Sequence, residues 1–171
     1  MLSDDMQQRL NAQLNAELYS AYLYLSMSAY FESLDLDGFA NWMRVQFQEE
    51  QMHGLKIFDF ISSRGGRVVL APIDGPATEW QSPEHAFSDV YAHEQKVTGL
   101  INALASAAAA ESDHATGTFL QWFVNEQVEE EESANRVLRN LRLIGSDGAG
   151  LLMLDRELAL RVFVPPPAQA Q

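Results

Sequence analysis

The sequence predicts an all-α fold, a four-helix bundle with one long crossover and a short fifth helix near the C-terminal end. Two observations carry this prediction. Proline is absent from residues 4–63 and from residues 84–144, so each stretch can form long uninterrupted helices. Between them, residues 65–83 hold three glycines and three prolines, a composition typical of a loop or an extended crossover.

Turn signals inside the two stretches divide each of them into a pair of helices. Asp37 can cap a helix in the first stretch, and Ser112 or Asp113 can do so in the second. The predicted helices cover residues 5–33, 38–64, 83–111 and 114–144. Short links make each pair an antiparallel hairpin, and the crossover is long enough for the second and third helices to run parallel.

A short amphipathic helix is predicted from Leu151, after Gly145 and Gly148 have ended the fourth helix. We expect residues 1–162 to form one domain that contains the bundle and this fifth helix. Residues 163–171 are expected to form a flexible tail.

Acidic residues dominate the charge of the chain. Eleven basic against 24 acidic residues give a formal net charge of −13, which argues against nucleic acid or an anionic membrane as partner and favours cations. Solubility alone also explains such a charge. Cysteine is absent, so any metal must be held by carboxylate and imidazole rather than by thiolate.

The first residues, "MLSDDMQQRL", lack the basic and apolar regions of a signal peptide. No run approaches the roughly 18 apolar residues of a membrane span. We therefore expect a soluble, cytoplasmic protein with no membrane partner.

Each long helix carries a core-facing stripe that polar side chains interrupt about halfway along. These polar residues are Glu17 on the first stripe, Glu50 and His53 on the second, Glu94 on the third, and Gln127 and Glu130 on the fourth. Four carboxylates buried together repel one another unless they are neutralised, and two divalent cations supply the matching charge. Oxygen and imidazole donors suit iron or manganese, and also zinc.

Taken singly, each interruption has an ordinary explanation. A lone glutamate in an apolar stripe is commonly a partly exposed side chain, and Glu-x-x-His occurs by chance in many helices. The coincidence of one carboxylate at matching depth on all four stripes favours a metal site over a metal-free interaction bundle.

The pattern resembles that of the ferritin-like di-iron carboxylate bundles and, within them, the non-haem bacterial ferritins. The resemblance covers nearly the whole chain. It rests on lone glutamates in the first and third helices, on "EQMH" at residues 50–53, and on "QVEE" at residues 127–130, where symmetric relatives have a second Glu-x-x-His. Gln51 follows the helix-two glutamate where haem-bearing relatives have methionine, so no haem is expected.

The resemblance implies a set of iron ligands. Glu17, Glu50 and His53 resemble the ligands of a first iron. Glu94 and Glu130 resemble those of a second iron, with Glu17 or Glu50 bridging the two.

Further residues resemble the surroundings of that centre. Gln127 would form a hydrogen bond nearby, and Tyr24 would lie beside the irons, although an ordinary core tyrosine explains it equally well. Glu49, Glu126 and Glu129 match a third iron position, for which a solvated acidic face is the alternative.

Other acidic residues have simpler interpretations. Glu131 and Glu132 are expected to face solvent. Glu111, Asp113 and His114 could line a pore of an assembly, but a helix-capping turn explains them equally well.

The function implied by the resemblance is iron storage. Fe(II) would be oxidised to Fe(III) by O2 or H2O2 at the di-iron centre, and the ferric mineral would be stored in a cage of 24 copies. The alternative is a peroxide-detoxifying di-iron protein. A rubrerythrin-like peroxidase would need cysteines, and a di-iron oxygenase would be expected to keep the second Glu-x-x-His.

Overall fold

The four long helices have nearly the predicted bounds. A computed structural model describes residues 2–165 of the chain, and this part contains no strand. The helices are α1 (Asp4–Glu32), α2 (Asp37–Ser63), α3 (Pro83–Ala110), α4 (His114–Ile144) and α5 (Gly148–Leu158). The all-α four-helix bundle with a short fifth helix is therefore confirmed.

Side-chain caps define the starts of α1, α3 and α4. Ser3 accepts a hydrogen bond from the Met6 amide, and Ser82 accepts one from the His85 amide. At α4 the cap is Asp113, which accepts from the Thr116 amide. Each cap satisfies a backbone donor that has no partner within its own helix.

The start of α2 differs from the prediction, because Asp37 is not its cap. The N-cap residue is Leu36, which forms no side-chain cap. Instead Asp155 of α5 accepts hydrogen bonds from the amides of Gly38 and Phe39, at 2.8 and 3.0 Å. A Cβ at position 38 would lie 1.6 Å from the Asp155 carbonyl oxygen, so the close approach of α5 requires glycine here.

The fifth helix also differs from the prediction, since it begins at Gly148 rather than Leu151 and ends at Leu158. Asp147 accepts hydrogen bonds from the amides of Ala149 and Gly150. Such a cap contributes about 1 kcal/mol, which offsets the poor helix propensity of a glycine in the first turn.

The chain that follows α5 packs back on α2. The Asn41 side chain donates to the carbonyl oxygens of Leu158, Ala159 and Arg161. The predicted domain boundary at residue 162 stays a prediction. Most of the predicted flexible tail, residues 166–171, lies outside the described residues.

The crossover lies along α1 and makes α2 and α3 parallel. Asn11 accepts a hydrogen bond from the Val69 amide at 2.7 Å, and Ser26 donates to the Ala77 carbonyl oxygen at 2.6 Å. The rings of Trp42 and Phe87, both near the N-terminal ends of their helices, lie 5.0 Å apart. The predicted parallel arrangement is confirmed.

Two apolar clusters fill the ends of the bundle. The aromatic end, which α5 covers, includes Tyr24, Phe31, Phe39, Trp42 and Phe87. The aliphatic end includes Met6, Leu10, Ile57, Ile101 and Leu120. Along every long helix the stripe between these clusters holds buried polar residues, so a polar layer divides the core. None of the described helices combines the length and the hydropathy of a membrane span.

Candidate metal centre

The polar layer consists of seven buried side chains from all four long helices. They are Glu17, Gln46, Glu50, His53, Glu94, Gln127 and Glu130. The exposed fraction is 1% for Glu17, Glu50 and Glu94, and 6% for Glu130. Removing a carboxylate from water to this extent costs several kcal/mol unless a partner compensates. The six polar residues that the stripes predicted to face inward are therefore all buried in this layer.

The half of the layer supplied by α1 and α2 contains unpaired polar atoms. Glu17, Glu50 and His53 each offer a ligand atom, and these atoms lie within 4.8 Å of one another. Glu17 Oε2, Glu50 Oε2 and His53 Nε2 are buried and have no hydrogen-bond partner among residues 2–165. Glu50 Oε2 does lie 3.3 Å from His53 Nδ1, but not in hydrogen-bonding geometry. Unpaired buried groups of this kind are rare and fit a cation as the missing partner.

Electrostatics supports the same interpretation. Burial raises the pKa of Glu50 well above its ordinary value, and the negative charges of Glu17 and Glu94 raise it further. A divalent cation would oppose both effects, because it stabilises the ionised carboxylate.

The half of the layer supplied by α3 and α4 is better paired. Glu94 accepts one hydrogen bond from the Tyr24 hydroxyl and another from Gln127 Nε2 at 3.3 Å. Glu130 Oε2 accepts from Gln46 Nε2 at 2.8 Å. Burial and the charge of Glu130 raise the pKa of Glu94 to about 8, although its bonds from Tyr24 and Gln127 act in the opposite direction.

Tyr24 contacts both the polar layer and the apolar core. Its side chain is fully buried in the aromatic end, and its hydroxyl donates to Glu94. Burial, followed by the charge of Glu94, raises the pKa of Tyr24. Tyr24 therefore packs in the core and also contacts one of the candidate metal ligands.

Glu49, Glu126 and Glu129 do not form one of the two groups of possible ligands among the described residues, and the third metal position stays a prediction. A second group of possible ligands does form, from His53, Glu126 and Glu130, with ligand atoms within 4.8 Å of one another. Neither group of possible ligands found among the described residues contains Glu49 or Glu129. Glu129 is exposed on α4.

Glu49 has a cationic partner from the far end of the chain. Arg161 Nη2 lies 2.6 Å from Glu49 Oε2. Burial raises the pKa of Glu49 to about 7; Arg161 opposes this shift, and the charges of Glu130 and Glu126 add to it. The side chains of Glu49, Glu126 and Glu130 therefore share one electrostatic environment.

Sequence reasoning assigned no role to two residues that hold the layer. Gln13 donates to Glu17 Oε1 at 2.8 Å, and Gln46 donates to Glu130. A usable signal was present, because Gln46 is itself a polar interruption of the α2 stripe.

The prediction for Glu131 was wrong. It is half-buried rather than solvated, and its Oε1 accepts a hydrogen bond from Thr98 Oγ1 at 2.5 Å. Thr98 also accepts from Gln127 Nε2 at 3.3 Å. A chain of contacts therefore leads from Glu131 through Thr98 and Gln127 to Glu94.

The acidic turn before α4 has a structural role. Asp113 caps α4 and forms an ion pair with Arg64 at 3.1 Å, and Glu111 accepts a hydrogen bond from Ser3. These contacts support the capping interpretation of the turn, while a pore-lining role stays a prediction.

Comparison with known proteins identifies relatives over nearly the full length. The family described as Ferritin-like domain matches residues 7–144. A bacterial non-heme ferritin of Bacteroides fragilis (strain 638R) is 43% identical over 161 residues, which are 94% of this chain and 100% of that protein.

Two solved structures are more similar still. An engineered closed form of the Archaeoglobus fulgidus ferritin is 57% identical with a TM-score of 0.95, over 96% of this chain and 100% of that one. An open-pore ferritin from the same archaeon is 57% identical with a TM-score of 0.94, over 95% and 100%.

Proposed function

The chain belongs to the ferritin-like family, and from this premise we propose that it is an iron-storage ferritin with ferroxidase activity. Fe(II) is its substrate, O2 or H2O2 is the oxidant, and the ferric product is stored as mineral inside an oligomeric cage. One observation carries the proposal: Glu17, Glu50 and His53 bring possible ligand atoms within 4.8 Å of one another in a buried layer, where each side chain also keeps an atom without a hydrogen-bond partner.

The donor set suits Fe(II) as substrate. Glu17, Glu50 and His53 are the proposed ligands of the first iron. Glu94 and Glu130 are proposed for the second, with Glu17 or Glu50 bridging. Four carboxylates balance the charge of two divalent ions, and the carboxylate oxygens become better ligands as the charge on iron increases.

The redox step needs two irons held close together in one site. Each Fe(II) gives one electron to the same O2, which takes up two protons and leaves as H2O2. Pairing the irons favours this two-electron reduction over the release of superoxide. The residues of the chain hold the irons in place and exclude water, while hydrolysis of Fe(III) releases protons and begins the mineral.

The side chains around the ligands have orienting roles. Tyr24 and Gln127 fix the carboxylate of Glu94 by hydrogen bonds, and Gln46 does the same for Glu130. Such outer contacts commonly change metal affinity or activity by about 10- to 100-fold. Glu126, which lies beside His53 and Glu130, is proposed as part of a path by which iron leaves the centre.

A cage is the proposed assembly, with 24 copies as in the prediction. Several apolar side chains in and after α5 are mostly exposed, which supports a contact between copies at this surface. They are Met153, Leu160, Val162 and Val164. The high negative charge would draw Fe(II) toward the assembly. Sedimentation of the purified protein measures the number of copies directly.

The decisive experiment adds Fe(II) in air to the metal-free assembled protein. O2 uptake and the iron that stays soluble with the protein are followed together. We expect about one O2 for every two Fe(II) in the first phase, and retained iron far above two per chain. Retention of only about two irons per chain would rule out storage.

A matched pair of variants tests the site itself. Glu130→Gln and Glu132→Gln remove the same charge from the same helix, but Glu130 is buried and Glu132 is exposed. The first should slow iron oxidation and the second should leave it unchanged. Equal rates in the two variants would contradict the proposed centre.

Comparison of oxidants separates storage from the alternative role. The same titration is repeated without air, with H2O2 as the only oxidant. Much faster oxidation of Fe(II) by H2O2 than by O2 would favour peroxide detoxification as the main activity. The same di-iron centre would catalyse that reaction.

A further inference from the structure

Arg161 lies beyond the end of α5 and reaches back to α2. Its guanidinium carbon lies 4.5 Å from the centre of the Trp42 ring, and Nη1 donates to the Trp42 carbonyl oxygen at 3.4 Å. Nη2 donates to Gln46 Oε1 and to Glu49 Oε2. The guanidinium is thus held by an aromatic face, a carbonyl, an amide and a carboxylate.

These contacts connect Arg161 to the polar layer. Gln46 accepts from Arg161 through its oxygen and donates through its nitrogen to Glu130 Oε2. The order of contacts is Arg161, Gln46, Glu130. Because Arg161 is only a donor, it fixes the orientation of the Gln46 amide, which then presents its NH2 group to Glu130.

The guanidinium of Arg161 lies beside a group of acidic side chains from α2 and α4. We call Glu49, Glu126 and Glu129 the α2/α4 flank. Lys56 is also close to this flank, but its ammonium lies over the Trp122 ring at 4.4 Å. Arg161 forms the ion pair with Glu49, and both side chains of that pair are about one-fifth exposed, at 22% and 21%.

A metal ion on this flank would compete with the guanidinium for Glu49. A carboxylate oxygen that accepts a short charge-assisted hydrogen bond is a poor metal ligand until that bond breaks. The positions of the possible ligands are consistent with this competition. Glu126 lies with His53 and Glu130 in one group of possible metal ligands, whereas Glu49 belongs to neither of the two groups.

We propose that Arg161 is a resident cation of the α2/α4 flank, which occupies Glu49 and limits each chain to two tightly bound metal ions. Arg161 is therefore a specificity-determining residue for the number of irons held at one time. The inference rests on the proposed function in that it takes the polar layer to hold the other two ions. It gives Arg161 a role beyond joining the C-terminal segment to α2.

The test is Zn(II) binding to the metal-free assembled protein, measured by calorimetry in the absence of iron and O2. The wild-type protein should bind about two ions per chain tightly. Arg161→Gln should gain a third ion, with affinity at least about 10-fold above any third event in the wild type. Arg161→Gln combined with Glu49→Gln should return to two.

Two control variants separate charge from attachment of the segment. Asn41→Ala removes the hydrogen bonds that hold residues 158–161 to α2 but keeps the guanidinium. Arg161→Lys keeps a cation with a different shape. Both should bind two ions, as the wild type does, and circular dichroism checks the helical content of every variant.

Four outcomes are informative. An unchanged number of ions in Arg161→Gln would overturn the inference, and so would a third ion in Asn41→Ala, because loosening alone would then explain it. Loss of the two wild-type ions would count against the proposed di-iron centre instead. Even if the wild type bound no ions, the inference would be supported if Arg161→Gln bound a Zn(II) ion that the double variant with Glu49→Gln did not bind.

Discussion

The two halves of the polar layer, one from α1 and α2 and the other from α3 and α4, satisfy their polar atoms differently. In the first half, Glu17, Glu50 and His53 each keep a buried atom without a hydrogen-bond partner among the described residues. In the second half, Glu94 accepts through both oxygens and Glu130 accepts through one.

This difference has a physical consequence for metal binding. A cation at the first position gains contacts without breaking hydrogen bonds, so that position is already organised. At the second position it must replace or share the bonds from Tyr24, Gln127 and Gln46. We therefore expect both ions to be bound, with the second exchanging more easily than the first.

The largest expected effect comes from the half with unpaired atoms. Glu50→Gln removes a proposed ligand of the first iron that is also one of the two candidates to bridge both irons, so the initial rate of Fe(II) oxidation should fall by about 100-fold or more. Stopped-flow measurement gives the rate. Glu94→Gln, the matched change in the paired half, should keep the first Zn(II) ion and lose only the second. If Glu50→Gln and Glu94→Gln lost the same Zn(II) ions, the two halves of the polar layer would not differ in metal binding.

The pH dependence of stability should show the cost of the metal-free layer. The pKa of Glu94 is raised to about 8 in the folded protein, whereas the unfolded chain ionises near the ordinary pKa of about 4.3. The folded state therefore holds a proton that the unfolded state has lost, so the contribution of Glu94 to stability is largest below that lower value and declines until about pH 8.

Glu94→Gln isolates this contribution. Between about pH 5 and 8, the free energy of unfolding of the metal-free wild type should fall by about 3 to 4 kcal/mol more than that of the variant. Thermal unfolding at several pH values measures the difference. Saturating Zn(II) should reverse the wild-type trend, because metal binding displaces the proton. Parallel curves for the two proteins would show that Glu94 is not the group responsible.

A smaller effect is expected from the amide that orients the paired half. Gln127→Leu removes the hydrogen bond to Glu94 Oε2 and leaves a side chain of similar size. The initial oxidation rate should fall by about 10-fold, while the affinity for the first Zn(II) ion should not change. Gln121→Leu, an exposed site on the same helix, is the control. Weaker binding of the first ion would mean that the two halves are not separable.

The smallest effect on the oxidation rate is expected at Thr98, which contacts Gln127 rather than a proposed iron ligand. Thr98→Val removes the hydroxyl that accepts from Gln127 and donates to Glu131. We expect the oxidation rate to fall by about two- to threefold, since Gln127 keeps its bonds to Glu94. Thr118→Val changes an exposed threonine of α4 and should have no effect. If the oxidation rate of Thr98→Val fell as far as that of Gln127→Leu, Thr98 would be the residue that orients the Gln127 amide.

Local patterns in the sequence predicted the fold and the inward-facing part of the candidate site well. Helical periodicity determines which side of a helix each residue occupies, so Glu17, Glu94 and Glu130 could be placed at one depth without any structure. The proline-rich segment likewise predicted where α2 and α3 separate.

Contacts between distant parts of the chain could not be predicted in this way. Asp155 caps α2 from 117 residues away, and Arg161 reaches Glu49 across 112 residues. Arg161 follows the last helix, where no periodic pattern assigns its side chain to a face. Glu49 consequently looked like one more acidic residue beside Glu126, because its partner was invisible in the local sequence.

The crossover joins two hairpins that each carry one half of the polar layer. Its residues 70–75 are exposed, so a protease could cut there without entering the core. One fragment would keep Glu17, Glu50 and His53, and the other would keep Glu94 and Glu130. A divalent cation bound between them would then act as a reversible crosslink, and the two fragments would associate according to the metal concentration.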